Sequence, residues 1–83
     1  MCYVYALRSS GKGQIYIGQT KDLPGRIQCH NKGYVRSTRN GRPWELIAFE
    51  KLKIINEARW IENGLKRSKG KRMKWLEEKR LAQ

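Results

Sequence analysis

The sequence predicts a small α+β fold, in which about three helices cover a three-stranded antiparallel sheet. Two short runs rich in β-branched and aromatic residues flank a polar turn near the N-terminus, as in a hairpin. A third such run lies in mid-chain, and apolar residues at helical spacing come before and after it. The predicted order is β-β-α-β-α-α, and 83 residues suffice for one domain spanning 1–83.

The N-terminal hairpin is predicted to bring two tyrosines together. Its strands are expected over two ranges, Tyr3–Leu7 and Gln14–Gln19. Ser9–Lys12 has the composition of the connecting turn. A turn of that length places Tyr5 directly opposite Tyr16, and opposed residues project from the same face of a sheet. Gly18 then lies further along this face, where its missing side chain lets another group approach the backbone.

The first helix follows the hairpin directly. Asp22 can accept hydrogen bonds from the first-turn N–H groups, and Pro24 fits the first turn, where its missing N–H is not needed. Asn31–Gly33 is a typical helix end, which leaves it open whether the next residue is still helical. Apolar residues at helical spacing should face the sheet, namely Leu23, Ile27 and Tyr34. Arg26 and His30 are four residues apart and share one flank of the helix.

The second half of the chain is predicted to form a basic loop, a strand and two helices. Their expected bounds are Val35–Pro43 for the loop, Trp44–Lys51 for the strand, Asn56 to about Lys66 for the first helix and Lys71–Leu81 for the second. Asn56 is the predicted N-cap of its helix. Gly70 interrupts the helical pattern, and Met73 and Leu76 form the apolar side of the last helix.

Basic residues dominate the composition. Nineteen Lys and Arg against seven Asp and Glu give a formal charge of +12. Such an excess attracts polyanions, and its spread over a chain with strand patterns and aromatics favours nucleic acid over a membrane surface. Because no run suits a membrane span or a secretion signal, a cytoplasmic, nucleoid-associated protein is expected. The candidate nucleic-acid contacts are Lys21, Arg36, Arg39, Arg42, Lys66 and Lys69.

The cysteines and the histidine exclude some classes of site. Cys2 and Cys29 lack metal-ligand spacing and are too few for a disulfide framework, so both are expected to be reduced packing residues. With one histidine in the chain, a structural zinc site is not expected. No small-molecule cofactor is expected either, while protein partners and oligomeric state stay open.

An acidic residue falls on the inward side of the helix that follows the third strand. At about 100° per residue, the inward stripe consists of Ala58, Ile61 and Leu65. Glu62 falls within about 60° of the first and last of these. A buried carboxylate needs a compensating cation. One interpretation is a partly exposed Glu62 paired with Lys66 one turn on. The other is a divalent ion such as Mg²⁺, held by the carboxylate, waters and a substrate phosphate.

Each candidate residue has an ordinary structural explanation when taken alone. Tyr5 and Tyr16 are typical sheet aromatics, and Arg26 is typical of a basic surface. His30 beside an apolar stripe is more often a packed, hydrogen-bonded ring than a catalyst. Together with Glu62, however, they supply what phosphodiester hydrolysis requires: a phosphate clamp, a proton carrier, a metal site and nearby phenols.

The order of these residues resembles that of the GIY-YIG nucleases along essentially the whole chain. Tyr3-Val4-Tyr5 stands at the first triplet, with Tyr3 in place of Gly, and Tyr16-Ile17-Gly18 matches the second. Tyr16–Asn31 is similar to the family's strand-to-helix segment, and Glu57–Lys66 is similar to its metal-binding helix. The chain most resembles short stand-alone members, related to the nuclease module of the UvrC repair protein and to homing endonucleases.

The resemblance implies a metal-dependent endonuclease that hydrolyses phosphodiester bonds in DNA and selects structure rather than sequence. In that mechanism Glu62 binds one Mg²⁺ or Mn²⁺ ion, and Arg26 grips the scissile phosphate. Tyr5, with Tyr16 close by, positions or deprotonates the attacking water, which requires positive charge near the phenol to lower its pKa. His30 either relays a proton or hydrogen-bonds a tyrosine.

Tyr3 in place of Gly is one departure from the family pattern. A second departure lies beyond the helix of Glu62, where several relatives carry an additional polar residue, often Asn. The segment Ser68–Arg72 contains no Asn. No appended DNA-recognition domain is expected, so any sequence preference would come from loops such as Val35–Pro43.

The alternative to an enzyme is a catalytically silent module that binds DNA or RNA with the same fold. In that case Trp60 and Trp75, expected to point away from the inward stripes, would stack on bases; the alternative for this pair is that the two indoles pack against each other between the helices.

Overall fold

A three-stranded antiparallel sheet of order β2-β1-β3 forms the middle layer of the protein, as described by a computed structural model of residues 1–81. The strands are β1 (Cys2–Ser9), β2 (Ile15–Thr20) and β3 (Trp44–Leu52). The helices are α1 (Leu23–Lys32), a 3₁₀ helix (Arg36–Gly41), α2 (Ile55–Arg67) and α3 (Lys69–Lys79). The predicted α+β class and element order are confirmed, with the 3₁₀ helix as an addition.

The hairpin register differs from the expected one by two residues. Tyr5 is paired with Gly18 rather than with Tyr16, and β1 continues through Ser9. The loop is longer than predicted because Gly13, at a left-handed φ of 68°, donates its N–H to the Ser9 carbonyl over 2.8 Å. Side chains alternate with a period of two along a strand, so the two tyrosines still share one face.

Helix α1 begins and ends where the sequence indicates. The Asp22 carboxylate accepts a hydrogen bond from the Gly25 N–H over 3.2 Å, and Gly33 ends the helix at a φ of 83°. Leu23 is buried as predicted. The placement of Tyr34 on the sheet was wrong, because the left-handed turn at Gly33 directs the chain away and leaves Tyr34 73% exposed.

The basic segment after α1 is ordered rather than an open loop. Thr38 donates its N–H to the Val35 carbonyl over 3.1 Å, within the 3₁₀ region. The Thr38 carbonyl in turn accepts a hydrogen bond from the Trp44 indole over 2.7 Å, and the Ser9 hydroxyl donates to the Gly41 carbonyl over 2.5 Å. These contacts fasten the segment to the start of β3 and the end of β1.

The junctions of α2 and α3 correct three sequence expectations. Asn56 does not cap α2, because the helix begins at Ile55 and no side chain caps it. The break between the helices falls at Ser68, whose hydroxyl accepts a hydrogen bond from the Lys71 N–H over 3.2 Å. Gly70, expected to interrupt the pattern, lies inside α3.

The inward side of α3 is also different from the prediction. Trp75 is buried, because its indole N–H finds an acceptor in the Glu50 carboxylate at 2.9 Å and its ring can then join the core. Met73 is 52% exposed, and Leu76 is half-buried. Trp60 is exposed, as expected.

The two faces of the sheet carry two separate apolar cores, so β1 is buried on both sides. One core joins the sheet to α2 and α3, and it contains Cys2, Val4, Ala6, Ile17, Ala48, Ala58, Leu65 and Trp75. The other contains Tyr5, Leu7, Leu23 and Trp44, with Tyr16 packed against it. Both cysteines are free thiols, in agreement with the sequence. Within residues 1–81, no helix has the length and apolar character needed to cross a membrane.

Candidate active site

Tyr5 lies at the centre of β1, and its phenol is buried against the neighbouring strand. Only 1% of the residue is exposed. Gly18 faces it on β2, and a Cβ built on Gly18 would lie 2.5 Å from the Tyr5 hydroxyl. The close approach anticipated at Gly18 is therefore made by the phenol of Tyr5 itself, and only a glycine leaves it room.

Tyr16 stands diagonally across the strand pair from Tyr5, with 6.3 Å between the ring centroids. Its ring centroid also lies 5.0 Å from that of His30 and 6.3 Å from that of Trp44. These edge-on contacts fix the orientation of Tyr16. The residue is half-buried and forms the wall of the site on the side of β2.

His30 is fully buried, and both of its ring nitrogens are hydrogen-bonded. Nε2 lies 2.9 Å from the Tyr5 hydroxyl, and Nδ1 lies 2.7 Å from Thr38 Oγ1. The Thr38 hydroxyl donates to the Val35 carbonyl over 3.3 Å, so its oxygen is free to accept from Nδ1–H. This network assigns the proton to Nδ1 and makes Nε2 the acceptor of the Tyr5 O–H.

The electrostatic environment keeps the His30 imidazole and the Tyr5 phenol neutral near pH 7. Burial, assisted by the charge of Arg26, lowers the pKa of His30 below its usual value. Burial likewise raises the pKa of Tyr5 to about 12, although the neighbouring Arg26 guanidinium acts in the opposite direction. Arg26 thus supplies positive charge of the kind that a phenolic base requires, but desolvation outweighs its effect on the pKa of Tyr5.

Arg26 and Glu62 lie near the two phenols from different helices, Arg26 at Tyr5 and Glu62, through Lys66, at Tyr16. The Arg26 guanidinium, on α1, is half-buried, and its interaction with the Tyr5 phenol raises the pKa of Arg26. Glu62, on α2, lies close enough for its negative charge to add to the high pKa of Tyr5. The structure thus brings the carboxylate, the phenols and the guanidinium into one place.

The Glu62 carboxylate forms an ion pair with Lys66 one turn further along α2. The two charged groups are 3.1 Å apart, and the side chain of Glu62 is 14% exposed whereas that of Lys66 is 48% exposed. The Lys66 ammonium also lies 5.8 Å from the centroid of the Tyr16 ring. The first interpretation of Glu62, a partly exposed partner of Lys66, therefore describes this structure.

The donor set at Glu62 is compatible with a hard divalent ion. Mg²⁺ prefers oxygen ligands and is commonly bound by one or two carboxylates together with waters and substrate phosphate. Residues 1–81 contain no cluster of three or more His, Cys, Asp or Glu side chains that could form a complete metal cage. A divalent ion at Glu62 would take its remaining ligands from water and substrate and would displace Lys66 from the carboxylate.

The predicted nucleic-acid contacts are all exposed, but only Lys66 touches the candidate site. Arg39 donates to the Gly33 carbonyl over 3.0 Å, and Arg42 donates to the Arg39 carbonyl over 2.8 Å. These two arginines therefore also hold the 3₁₀ segment in place. Exposed positions are found for the whole set, Lys21, Arg36, Arg39, Arg42, Lys66 and Lys69.

Three residues that support the site were not identified from the sequence. Thr38 orients His30, and Trp44 packs on Tyr16. The Asn31 amide makes two hydrogen bonds to the backbone of Trp44, of 2.6 Å to its N–H and 3.1 Å to its carbonyl. The Asn31 bonds hold α1 to β3, and no local pattern announces them because each partner lies in a different element.

A cleft of about 470 Å³ adjoins the exposed side of Tyr16. The hairpin loop, through Lys12, and the 3₁₀ helix, through Ser37, form its two sides. Trp44 contributes to its lining. Tyr16 thus borders both this cleft and the aromatic cluster around Tyr5 and His30.

Comparison with known proteins agrees with this architecture. The model of the GIY-YIG catalytic domain matches residues 1–75, and the chain belongs to this family of nuclease domains.

Two curated relatives are structure-specific endonuclease subunits named SLX1. That of Podospora anserina is 44% identical over 52 residues, which are 55% of this chain and 15% of the relative. That of Schizosaccharomyces pombe is 39% identical over 49 residues, 54% of this chain and 18% of the relative. The matches thus span less than a fifth of either relative's length.

Proposed function

We propose that the protein is a divalent-metal-dependent endonuclease that hydrolyses phosphodiester bonds in DNA and selects its substrates by structure. The observation that carries this proposal is the grouping of the Tyr5, Tyr16 and His30 rings, with Arg26 beside the Tyr5 phenol and Glu62 joined to the Tyr16 ring through Lys66. A purely structural cluster of aromatic rings has no need of a half-buried guanidinium and a half-buried carboxylate at its border. In phosphodiester hydrolysis a carboxylate can hold a metal ion, a guanidinium can bind the phosphate, and a phenol can take part in proton transfer.

The Tyr5–His30 pair supplies a route for the proton of the attacking water. A phenol whose pKa is about 12 is a poor base by itself. Its own proton, however, already points at the unprotonated Nε2 of His30. As Tyr5 accepts a proton from water, it passes its own to His30, so that no free phenolate is formed. Thr38 keeps the proton of the imidazole on Nδ1 and thereby keeps Nε2 open.

Arg26 and Glu62 deal with the negative charge of the phosphate. The Arg26 guanidinium, next to Tyr5, can donate to a non-bridging phosphate oxygen as charge builds there. Glu62 would hold one Mg²⁺ or Mn²⁺ ion, which supplies charge stabilisation near the leaving oxygen when bound. The ammonium of Lys66, which is 48% exposed, can swing from Glu62 to a neighbouring phosphate.

The substrate class follows from the surface of the protein and from its relatives. A formal charge of +12 favours a polyanion without reading its bases. The names of both SLX1 relatives describe structure-specific endonucleases, which supports selection of DNA by its shape.

A cleavage panel tests the proposal. Single-stranded, blunt duplex, nicked, flapped and branched DNA, together with RNA, are incubated with the wild-type protein with and without Mg²⁺ or Mn²⁺. Glu62→Ala should abolish metal-stimulated cleavage while leaving DNA affinity largely intact, because lysines and arginines carry that affinity. Glu57→Ala is the matched control, since Glu57 is exposed on the first turn of the same helix.

The panel also separates the enzyme from the silent binding module. An enzyme cuts at least one DNA structure with metal, and loses this activity in Glu62→Ala but not in Glu57→Ala. A binding module retains every substrate uncut under all metal conditions. Undiminished cleavage by Glu62→Ala would contradict the role of this carboxylate as the metal ligand.

A further inference from the structure

A second groove lies between α2 and α3, lined by residues outside the candidate active-site cluster. It encloses about 550 Å³. Leu65 and Trp75, which belong to the core, contribute apolar surface to it, and Trp60 stands at its edge with 77% of its surface exposed. An indole this exposed contributes almost nothing to the folded core. Its ring is available to a partner.

The groove is also strongly basic. Arg67, Lys71 and Lys74 line it, and all three are exposed. None of them forms a salt bridge with the acidic residues of the part of the chain described here, although Glu78 also lines the groove. Three uncompensated cations around an apolar surface attract a partner that is both anionic and able to bury flat apolar groups.

We propose that this groove binds an unpaired DNA strand, with Trp60 as a stacking platform for a base and the three cations as phosphate contacts. Single-stranded DNA combines a negative backbone with exposed base faces, which is the chemistry that the groove complements. A duplex cannot use Trp60 in this way, because its base faces are covered by its own stack. An acidic peptide could satisfy the cations, but nothing in the groove calls for carboxylates in particular, whereas a projecting indole suits a base.

This inference rests on the proposed nuclease function and adds a substrate class to it. Glu62 and Trp60 lie on different sides of α2, since two residues along a helix are separated by about 200°. One DNA molecule that touches both sides must change direction around the helix. The overall extents of 28 × 26 × 25 Å keep the two sites within reach of one short strand. The preferred DNA therefore carries a single-stranded arm beside the duplex that is cut.

Binding without metal tests the groove independently of cleavage. Glu62→Ala protein in a chelator is titrated into a fluorescent oligothymidylate of about twelve nucleotides, a length within the range of single-strand sites. Adding Trp60→Ala should weaken this binding by about tenfold, the effect of one lost base–aromatic stack. Trp60→Phe should retain most of the affinity, because the ring face is kept.

Three controls make the outcome decisive. An abasic strand of the same length carries the same charge without bases, so Trp60→Ala should not weaken its binding. Blunt duplex DNA should likewise bind equally well to the Glu62→Ala protein and to the same protein with Trp60→Ala added. Tyr34→Ala removes another exposed aromatic side chain, from the end of α1, and should leave oligothymidylate binding unchanged.

The inference is overturned if Trp60→Ala binds oligothymidylate as tightly as its parent, or if it loses affinity for the duplex and the abasic strand to the same extent. A polyglutamate peptide that displaces the oligonucleotide at equal concentration of charge would also overturn it in favour of a protein partner. These measurements remain informative even if no cleavage is found, because they require no metal and no turnover.

Discussion

Replacing Gly18 by alanine tests the packing that positions Tyr5. A Cβ at this position would lie 2.5 Å from the Tyr5 hydroxyl and 2.6 Å from the ring carbon that carries it. Ordinary contact begins at 3.4 Å, so the phenol would have to retreat by roughly 0.9 Å. The hydrogen bond of 2.9 Å from Tyr5 to His30 would not survive such a shift unchanged.

The expected cost has a stability part and a catalytic part. Overpacking of a core position destabilises a protein by about 1–3 kcal/mol, which lowers the Tm of a domain of this size by roughly 4–24 °C. A displacement of about 1 Å at a catalytic group costs about a hundredfold in rate. Gly18→Ala should therefore lose cleavage activity even at temperatures where it remains folded.

Thermal denaturation followed by circular dichroism, and single-turnover cleavage below the Tm, measure the two effects. Titration of tyrosinate absorbance adds a local probe, because the pKa of Tyr5, about 12, should fall as its phenol is pushed toward solvent. Gly11→Ala is the control, since a Cβ at Gly11 meets nothing within 4 Å. Gly18→Ala with an unchanged Tm, unchanged cleavage and an unchanged tyrosine titration would refute this description of the site.

Two further predictions concern groups beside Tyr5. His30, the one histidine in the chain, has a lowered pKa in the folded state, so the unfolded state takes up its proton first on acidification. The free energy of unfolding measured by urea titration should be nearly constant between about pH 6.5 and 8 and fall below about pH 6.5, before carboxylates titrate; a value that stays constant from about pH 6.5 to 5 would contradict the buried neutral imidazole. Lys66→Met should bind Mn²⁺ about twofold more tightly by electron paramagnetic resonance, because a competing cation on Glu62 is removed. Lys69→Met should have no such effect, and weaker binding by Lys66→Met would show that Lys66 assists the metal instead.

The features that follow from local periodicity could be predicted from the sequence. Tyr5 and Tyr16 were assigned to one face although the register was wrong, because a shift of two residues preserves the side of a strand. Arg26 and His30 on one flank of α1, and Glu62 beside the inward stripe of α2, follow from helix geometry alone. The order of these residues also sufficed to identify the family, which the family model confirms.

Features that depend on contacts between distant elements could not be predicted. The role of Thr38 requires the 3₁₀ helix to bring it under His30, and that segment has no apolar periodicity to announce a structure. Trp75 turned inward because Glu50, 25 residues earlier on another layer, satisfies its N–H. The high pKa of Tyr5 likewise depends on how deeply the completed fold buries it. Sequence patterns predicted that Tyr5, Tyr16, Arg26 and His30 lie near one another. They did not predict that burial keeps the Tyr5 phenol and the His30 imidazole uncharged.

The most direct test of the proposed mechanism is single-turnover cleavage by Tyr5→Phe, by Glu62→Ala and by the double variant, on the DNA that the wild-type protein cuts fastest. If both side chains act on one phosphate as a unit, each single change should lower the rate by about 10² or more, and the double variant should be no slower than the worse single one. Losses that multiply in the double variant, or a Tyr5→Phe protein that cleaves at the wild-type rate, would contradict a shared active site.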